Sequence, residues 1–141
     1  MTMDDFISKI KYNFKQGSIL SKLIYINVGL FLIVRLLSVA FILFNMNADT
    51  VLFWLQVPSS PIQLLYRPWT LLTYMFTHFD FLHIIFNMLW LYWFGGLFLN
   101  FFSERQLGGL YVIGGLAGAL LYIVSYNFFP YFSNVAAHST L

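Results

Sequence analysis

The chain has 141 residues and a net charge of +2; 60% of its residues are hydrophobic and only 9% are charged. A soluble domain carries roughly 25% charged residues, so this composition excludes an ordinary water-soluble fold and suits a bilayer as solvent. The absence of cysteine excludes disulfides, thiolate metal sites and a cysteine nucleophile, and no stripe of Lys and Arg offers a surface for nucleic acid.

Residues 1–20 are the one conventionally polar stretch. Phe6, Ile10 and Phe14 recur every four residues among Lys9, Lys11 and Lys15, which reads as a short amphipathic helix on a membrane surface; a frayed basic tail is the alternative. A first span is predicted over about 23–44, long enough for roughly 33 Å of helix. It is too long for a cleaved signal peptide, and no A-x-A-like site follows it. Arg35 lies inside this run. A charge there is costly, which favours a structural or snorkelling role over a catalytic one.

Residues 45–80 form a long connection rich in aromatics and prolines. Asp49 is positioned to cap a short apolar helix from Thr50 to Leu55, and Pro58, Ser59, Ser60 and Pro61 break it. The rest is too apolar for bulk water and is expected to sit partly in the interface, anchored by Trp54, Tyr66, Trp69 and Tyr74. A second span follows over about 81–102 with Asp80 as its N-cap, then a polar break at Ser103-Glu104-Arg105-Gln106. A third span runs over about 107–129 and is closed by Pro130. Gly114 and Gly118 in the third span are spaced for close helix packing. The fold class is therefore an all-α membrane protein with three transmembrane helices, divided into a basic N-terminus (1–20) and a membrane domain (21–141). Lys9, Lys11, Lys15, Lys22 and Arg105 fall on one side and Arg67 on the other, which predicts a cytoplasmic N-terminus by the positive-inside bias.

The chemistry concentrates in Thr77-His78-Phe79-Asp80-Phe81-Leu82-His83-Ile84-Ile85-Phe86-Asn87. His83 and Asn87 are four apart, so on a helix they share one face. An amide N–H and an imidazole N–H both donate hydrogen bonds, and two converging donors can hold the oxyanion of a tetrahedral intermediate. Spacing alone leaves a second role open, helix–helix hydrogen bonding worth roughly 0.6–2 kcal/mol. Metal binding is disfavoured, because His78 and His83 are five apart and Asn is a poor ligand.

The run Trp69-Thr70-Leu71-Leu72-Thr73-Tyr74-Met75-Phe76-Thr77-His78, followed by His83-Ile84-Ile85-Phe86-Asn87-Met88-Leu89-Trp90, resembles the signature of the rhomboid family. Gly95-Gly96 and the glycine-rich third span also fit it. The resemblance implies a compact six-helix bundle and an intramembrane serine endopeptidase that cleaves transmembrane segments of other proteins without a cofactor. It implies that His83 and Asn87 belong to the oxyanion hole and that His78 supports the site. The implied partners are transmembrane protein substrates and the lipid bilayer, with further C-terminal helices of the same fold. The implied location is the bacterial inner membrane.

The sequence departs from that pattern in several places. No G-x-S motif occurs in the 141 residues, and no fourth, fifth or sixth span is present. The chain is thus expected to be an incomplete rhomboid, lacking nucleophile and general base and inactive alone. Thr70 stands where the family often has arginine, with Arg67 nearby as a possible substitute, and Asn100 stands where a glutamate is common. His138-Ser139 is not a dyad, because adjacent residues do not face each other. Two rivals remain: a non-catalytic rhomboid-like protein that binds transmembrane clients, and an unrelated three-helix subunit whose polar residues only pack.

Overall fold

A computed structural model describes residues 2–78, 80–129 and 131. Pro130, His138 and Ser139 thus lie outside the described residues. The described chain is helical, with no strand: α1 Met3–Gln16, α2 Ile19–Leu43, α3 Asp49–Leu55, α4 Pro61–Tyr66, α5 Thr70–Thr73, a 3-10 turn Tyr74–Phe76, α6 Phe81–Leu99 and α7 Glu104–Phe128. Three of these helices, α2, α6 and α7, are long and apolar enough to cross a membrane. The protein is an integral membrane protein.

The spans depart from the sequence-based boundaries for reasons of capping. α2 starts at Ile19 rather than Leu23, because the Ser18 hydroxyl accepts the Ser21 N–H at 3.3 Å. It ends at Leu43, where Asn45 takes a left-handed conformation (φ 59°). The N–H of Met46 reaches back to the Phe41 carbonyl and that of Asn45 to the Ile42 carbonyl, a Schellman closure with asparagine in the usual glycine place. α6 stops at Leu99, three residues short of the expected end. α7 begins at Glu104, inside the supposed polar break. Ser103 and Gln106 cap each other there: the Gln106 N–H donates to the Ser103 hydroxyl at 3.3 Å, and the Ser103 N–H donates to the Gln106 amide oxygen at 2.9 Å. The polar tetrapeptide is a helix start.

Contacts divide the chain into two units, Met1–Leu32 with His78–Leu110 and Ile33–Thr77 with Tyr111–Leu141. In the first, Leu20 fills the notch at Gly95, where an added Cβ would lie 2.6 Å from Leu20 Cδ1. Ile19 packs on Gly108. The Ile19 N–H donates to the Glu104 carboxylate at 3.2 Å, so the first turns of α2 and α7 lie together. Asn27 is fully buried in α2, and its amide donates to the Leu23 carbonyl at 2.7 Å. Arg35, farther along α2, is exposed.

The second unit holds the connection between the first two spans. Asp49 does not cap α3; it is the first helical residue, and the Asn47 side chain accepts its N–H at 2.9 Å. The Pro-Ser-Ser-Pro break also starts a helix, since Pro61 occupies the first position of α4, where its missing N–H costs nothing. Three consecutive carbonyls at the C-terminal end of α3 receive side-chain donors from farther along the chain. The buried Arg67 guanidinium donates to Phe53, the Trp69 indole to Trp54 at 3.0 Å, and the Thr73 hydroxyl to Leu55 at 2.7 Å. Trp54 and Trp69 stack with centroids 6.2 Å apart, and Arg67 lies 3.9 Å from the Phe53 ring centroid.

The 3-10 turn then docks on α7. The Tyr74 hydroxyl donates to the Gly115 carbonyl, and the Tyr111 hydroxyl donates to the Met75 carbonyl at 3.3 Å. A Cβ at Gly115 would meet Met75 Sδ at 2.4 Å, and one at Gly118 would meet the Tyr74 hydroxyl at 3.1 Å. Gly114, by contrast, faces open space. Gly115 and Gly118 therefore admit a turn with its Tyr and Met side chains, where the G-x-x-x-G spacing suggested a second helix. Tyr74 is committed to this dock and is not a free interfacial anchor.

Candidate active site

α6 is apolar almost all round, so its faces are distinguished by burial. At about 100° per residue, Ile84, Met88, Leu91 and Gly95 fall within one narrow arc. Ile84 and Gly95 are buried and the other two half-buried. His83, Asn87, Trp90 and Phe94 fall on the adjacent arc, and all four are exposed. The polar pair thus sits one turn apart at the top of a face that continues downward as the stacked Trp90 and Phe94 rings, 5.2 Å between centroids.

Asp80 is the N-cap residue of α6, with extended backbone (φ −120°, ψ 151°), but its side chain makes no capping bond. Its carbonyl accepts the Ile84 N–H at 3.1 Å. This extended residue separates His78 from the helix and lets the two histidines approach. The His78 ring stands 5.6 Å from the His83 ring, edge-on at 65°. His78 is 7% exposed, whereas His83 is open. Upstream, the Thr77 hydroxyl donates to the Tyr74 carbonyl at 2.9 Å, closing the turn that leads into His78.

All three residues singled out from the sequence therefore come together, two on one helical face and the third against the ring of the first. That face can donate hydrogen bonds, one N–H from a neutral imidazole and two from the Asn87 amide, and each side chain also carries an acceptor. Among the described residues no three His, Asp or Glu side chains gather as a metal site. The sequence reading missed the fastening of the upstream connection by Arg67, Trp69, Thr73 and Tyr74. A lone arginine among tryptophans, in an otherwise apolar loop, was the available signal.

The rhomboid domain family profile matches residues 66–132, which take in the connection from Tyr66, all of α6 and all of α7. Over this stretch, just under half of its length, the chain is similar to the rhomboid domain family. Its similar relatives include the rhomboid protease GlpG of Salmonella choleraesuis (strain SC-B67), 36% identical over 74 residues, which are 52% of this chain and 25% of that protein. The GlpG of Salmonella newport (strain SL254) matches to the same extent. That of Salmonella paratyphi A is 35% identical over 85 residues, 59% of this chain and 29% of the relative. The matched part of this chain thus spans between a quarter and a third of the length of these curated relatives. No solved structure matches the chain significantly.

Proposed function

We propose that this rhomboid segment supplies the oxyanion-stabilising part of an intramembrane serine endopeptidase acting on transmembrane segments of other proteins. The observation that carries the reading is the shared exposed face of His83 and Asn87, with His78 packed against His83. Polar side chains at membrane depth are costly against lipid and normally face protein or a water-filled cavity. A peptide carbonyl placed against this face would meet two N–H donors as its oxygen gains charge during nucleophilic attack. Neither donor need be charged. His83 serves as a neutral imidazole whose N–H points at the oxygen, and His78 restrains the ring through its edge contact. The similarity to relatives named as rhomboid proteases supports the same reaction class.

The 141 residues contain no G-x-S motif, so the serine and its base are not among the residues assigned here. As a stand-alone polypeptide the chain is expected to be silent. The proposed setting is a bacterial inner membrane with the N-terminus cytoplasmic, on the strength of the basic residues at that end.

The test is a pair of measurements on an active polypeptide that carries this segment, turnover of a transmembrane substrate and thermal unfolding in detergent. Asn87→Ala is expected to lower turnover about 10²–10³-fold with little change in unfolding temperature. His83→Ala should follow it, whereas His78→Ala should lose activity and stability together. Normal turnover with a clear fall in unfolding temperature would assign the pair to helix packing. The isolated chain should take no label from a serine-reactive fluorophosphonate; labelling that disappears in Ser139→Ala would refute the silence.

A further inference from the structure

α1 lies outside the segment matched by the rhomboid profile, and the site described above does not use it. It is a well-started helix: the Thr2 hydroxyl accepts the Asp5 N–H at 3.2 Å, and the Asp5 carboxylate accepts the Thr2 N–H at 3.0 Å. No residue of α1 is buried. Around the helix, Met3, Phe6, Ile7, Ile10 and Phe14 occupy one arc of about 100°, and all five are exposed. Lys9 and Lys11 fall just beyond the two edges of that arc, and Lys15 lies behind Lys11 (from about 100° per residue). The two acidic side chains, Asp4 and Asp5, are confined to the first turn.

Only Gly17 and Ser18 separate α1 from the membrane-crossing α2. The joint is tight. A Cβ at Gly17 would lie 2.5 Å from the Asn13 carbonyl oxygen, and Ser18 already caps α2. α1 is thereby held at the level where α2 leaves the hydrocarbon. The same end of this unit carries Lys22 in the first turn of α2 and Arg105 in the first turn of α7, brought together by the bond from Ile19 to Glu104. It also carries the exposed Phe101 and Phe102.

We infer that α1 is an interfacial helix that docks on anionic phospholipid headgroups, its apolar arc immersed and Lys9 and Lys11 reaching the phosphates on either flank. The occupant is a lipid surface because the arc continues directly into a span that is itself in the bilayer. The lysines flank the arc as an anionic surface requires. This rests on α2 crossing the membrane and is independent of the protease reading.

The chain has no cysteine, so a single introduced cysteine carries a unique label. Ile10→Cys and Ser8→Cys place an environment-sensitive fluorophore on the apolar arc and on the opposite face. The labelled chain is reconstituted in vesicles of phosphatidylcholine alone, or with a third of it replaced by phosphatidylglycerol. The expected result is blue-shifted emission and quenching by spin-labelled lipid at position 10 in the anionic vesicles, much weaker in neutral ones, with position 8 aqueous in both. Replacing Lys9, Lys11 and Lys15 by glutamine should lower the immersed-to-aqueous ratio in anionic vesicles by about fivefold per lysine. Equal immersion of position 10 in the two lipids, its exposure in both, or immersion of position 8 alongside it would each overturn the inference.

Discussion

Arg67→Ala should be the most damaging single truncation in the connection between the first two spans. The guanidinium is buried, donates to the Phe53 carbonyl and, at 3.3 Å, to the Gln63 side chain, and lies 3.9 Å from the Phe53 ring centroid. A hydrogen bond from a charged donor contributes about 1.5–3 kcal/mol, with the longer bond to Gln63 near nothing at its exposed end. The ring contact adds about 0.5–2 kcal/mol. Alanine leaves Phe53 without that donor, while Trp54 and Leu55 keep theirs from Trp69 and Thr73. The loss works out at about 2–5 kcal/mol, against about 1 kcal/mol for Thr73→Val, which removes one neutral bond. Arg67→Lys should fall between, keeping the charge and one donation but not the fork. Unfolding by sodium dodecyl sulfate titration from mild detergent measures the order. Near-ultraviolet circular dichroism of the stacked Trp54 and Trp69 reports whether this unit is the part that opens. An Arg67→Ala chain no less stable than Thr73→Val would refute the reasoning.

Burial lifts the Tyr74 phenol above its ordinary value near 10, and the phenol must keep its proton to donate to Gly115. Its contribution is therefore intact below about pH 10 and lost as pH rises through the raised value; an alkaline titration of the unfolding midpoint should show a step that Tyr74→Phe abolishes. For topology, reporter fusions after Lys15 and after Phe129 should lie on opposite sides of the membrane, with the first cytoplasmic. Finding both on one side would break the three-span arrangement.

The spans were legible because a stretch of apolar residues long enough to cross hydrocarbon has few other uses. Their ends were misplaced where polar residues were read as interruptions: Ser18 and the Ser103–Gln106 pair are caps, which belong to a helix although they are not apolar. The pairing of His83 with Asn87 was legible from helical period alone. The contact of His78 with His83 was not, because it depends on the extended backbone at Asp80. The same limit applies to Arg67 and Tyr74. Their partners Phe53 and Gly115 lie 14 and 41 residues away, and the sequence carries no local mark of such pairings. Gly118 of the predicted pair does mark a close approach and Gly114 does not, and small residues do not say what approaches.

Asn27 bears on how this protein is made. Its amide sits about a third of the way along a span and donates to the carbonyl one turn earlier in the same helix. That donation needs no other segment, so it can form as soon as α2 is helical. An asparagine with neither N–H satisfied locally would present both to lipid and hinder lateral release of the helix from the insertion machinery more strongly. With one of the two Asn27 amide N–H groups already engaged, α2 enters the bilayer at a lower cost, before α6 and α7 emerge from the ribosome.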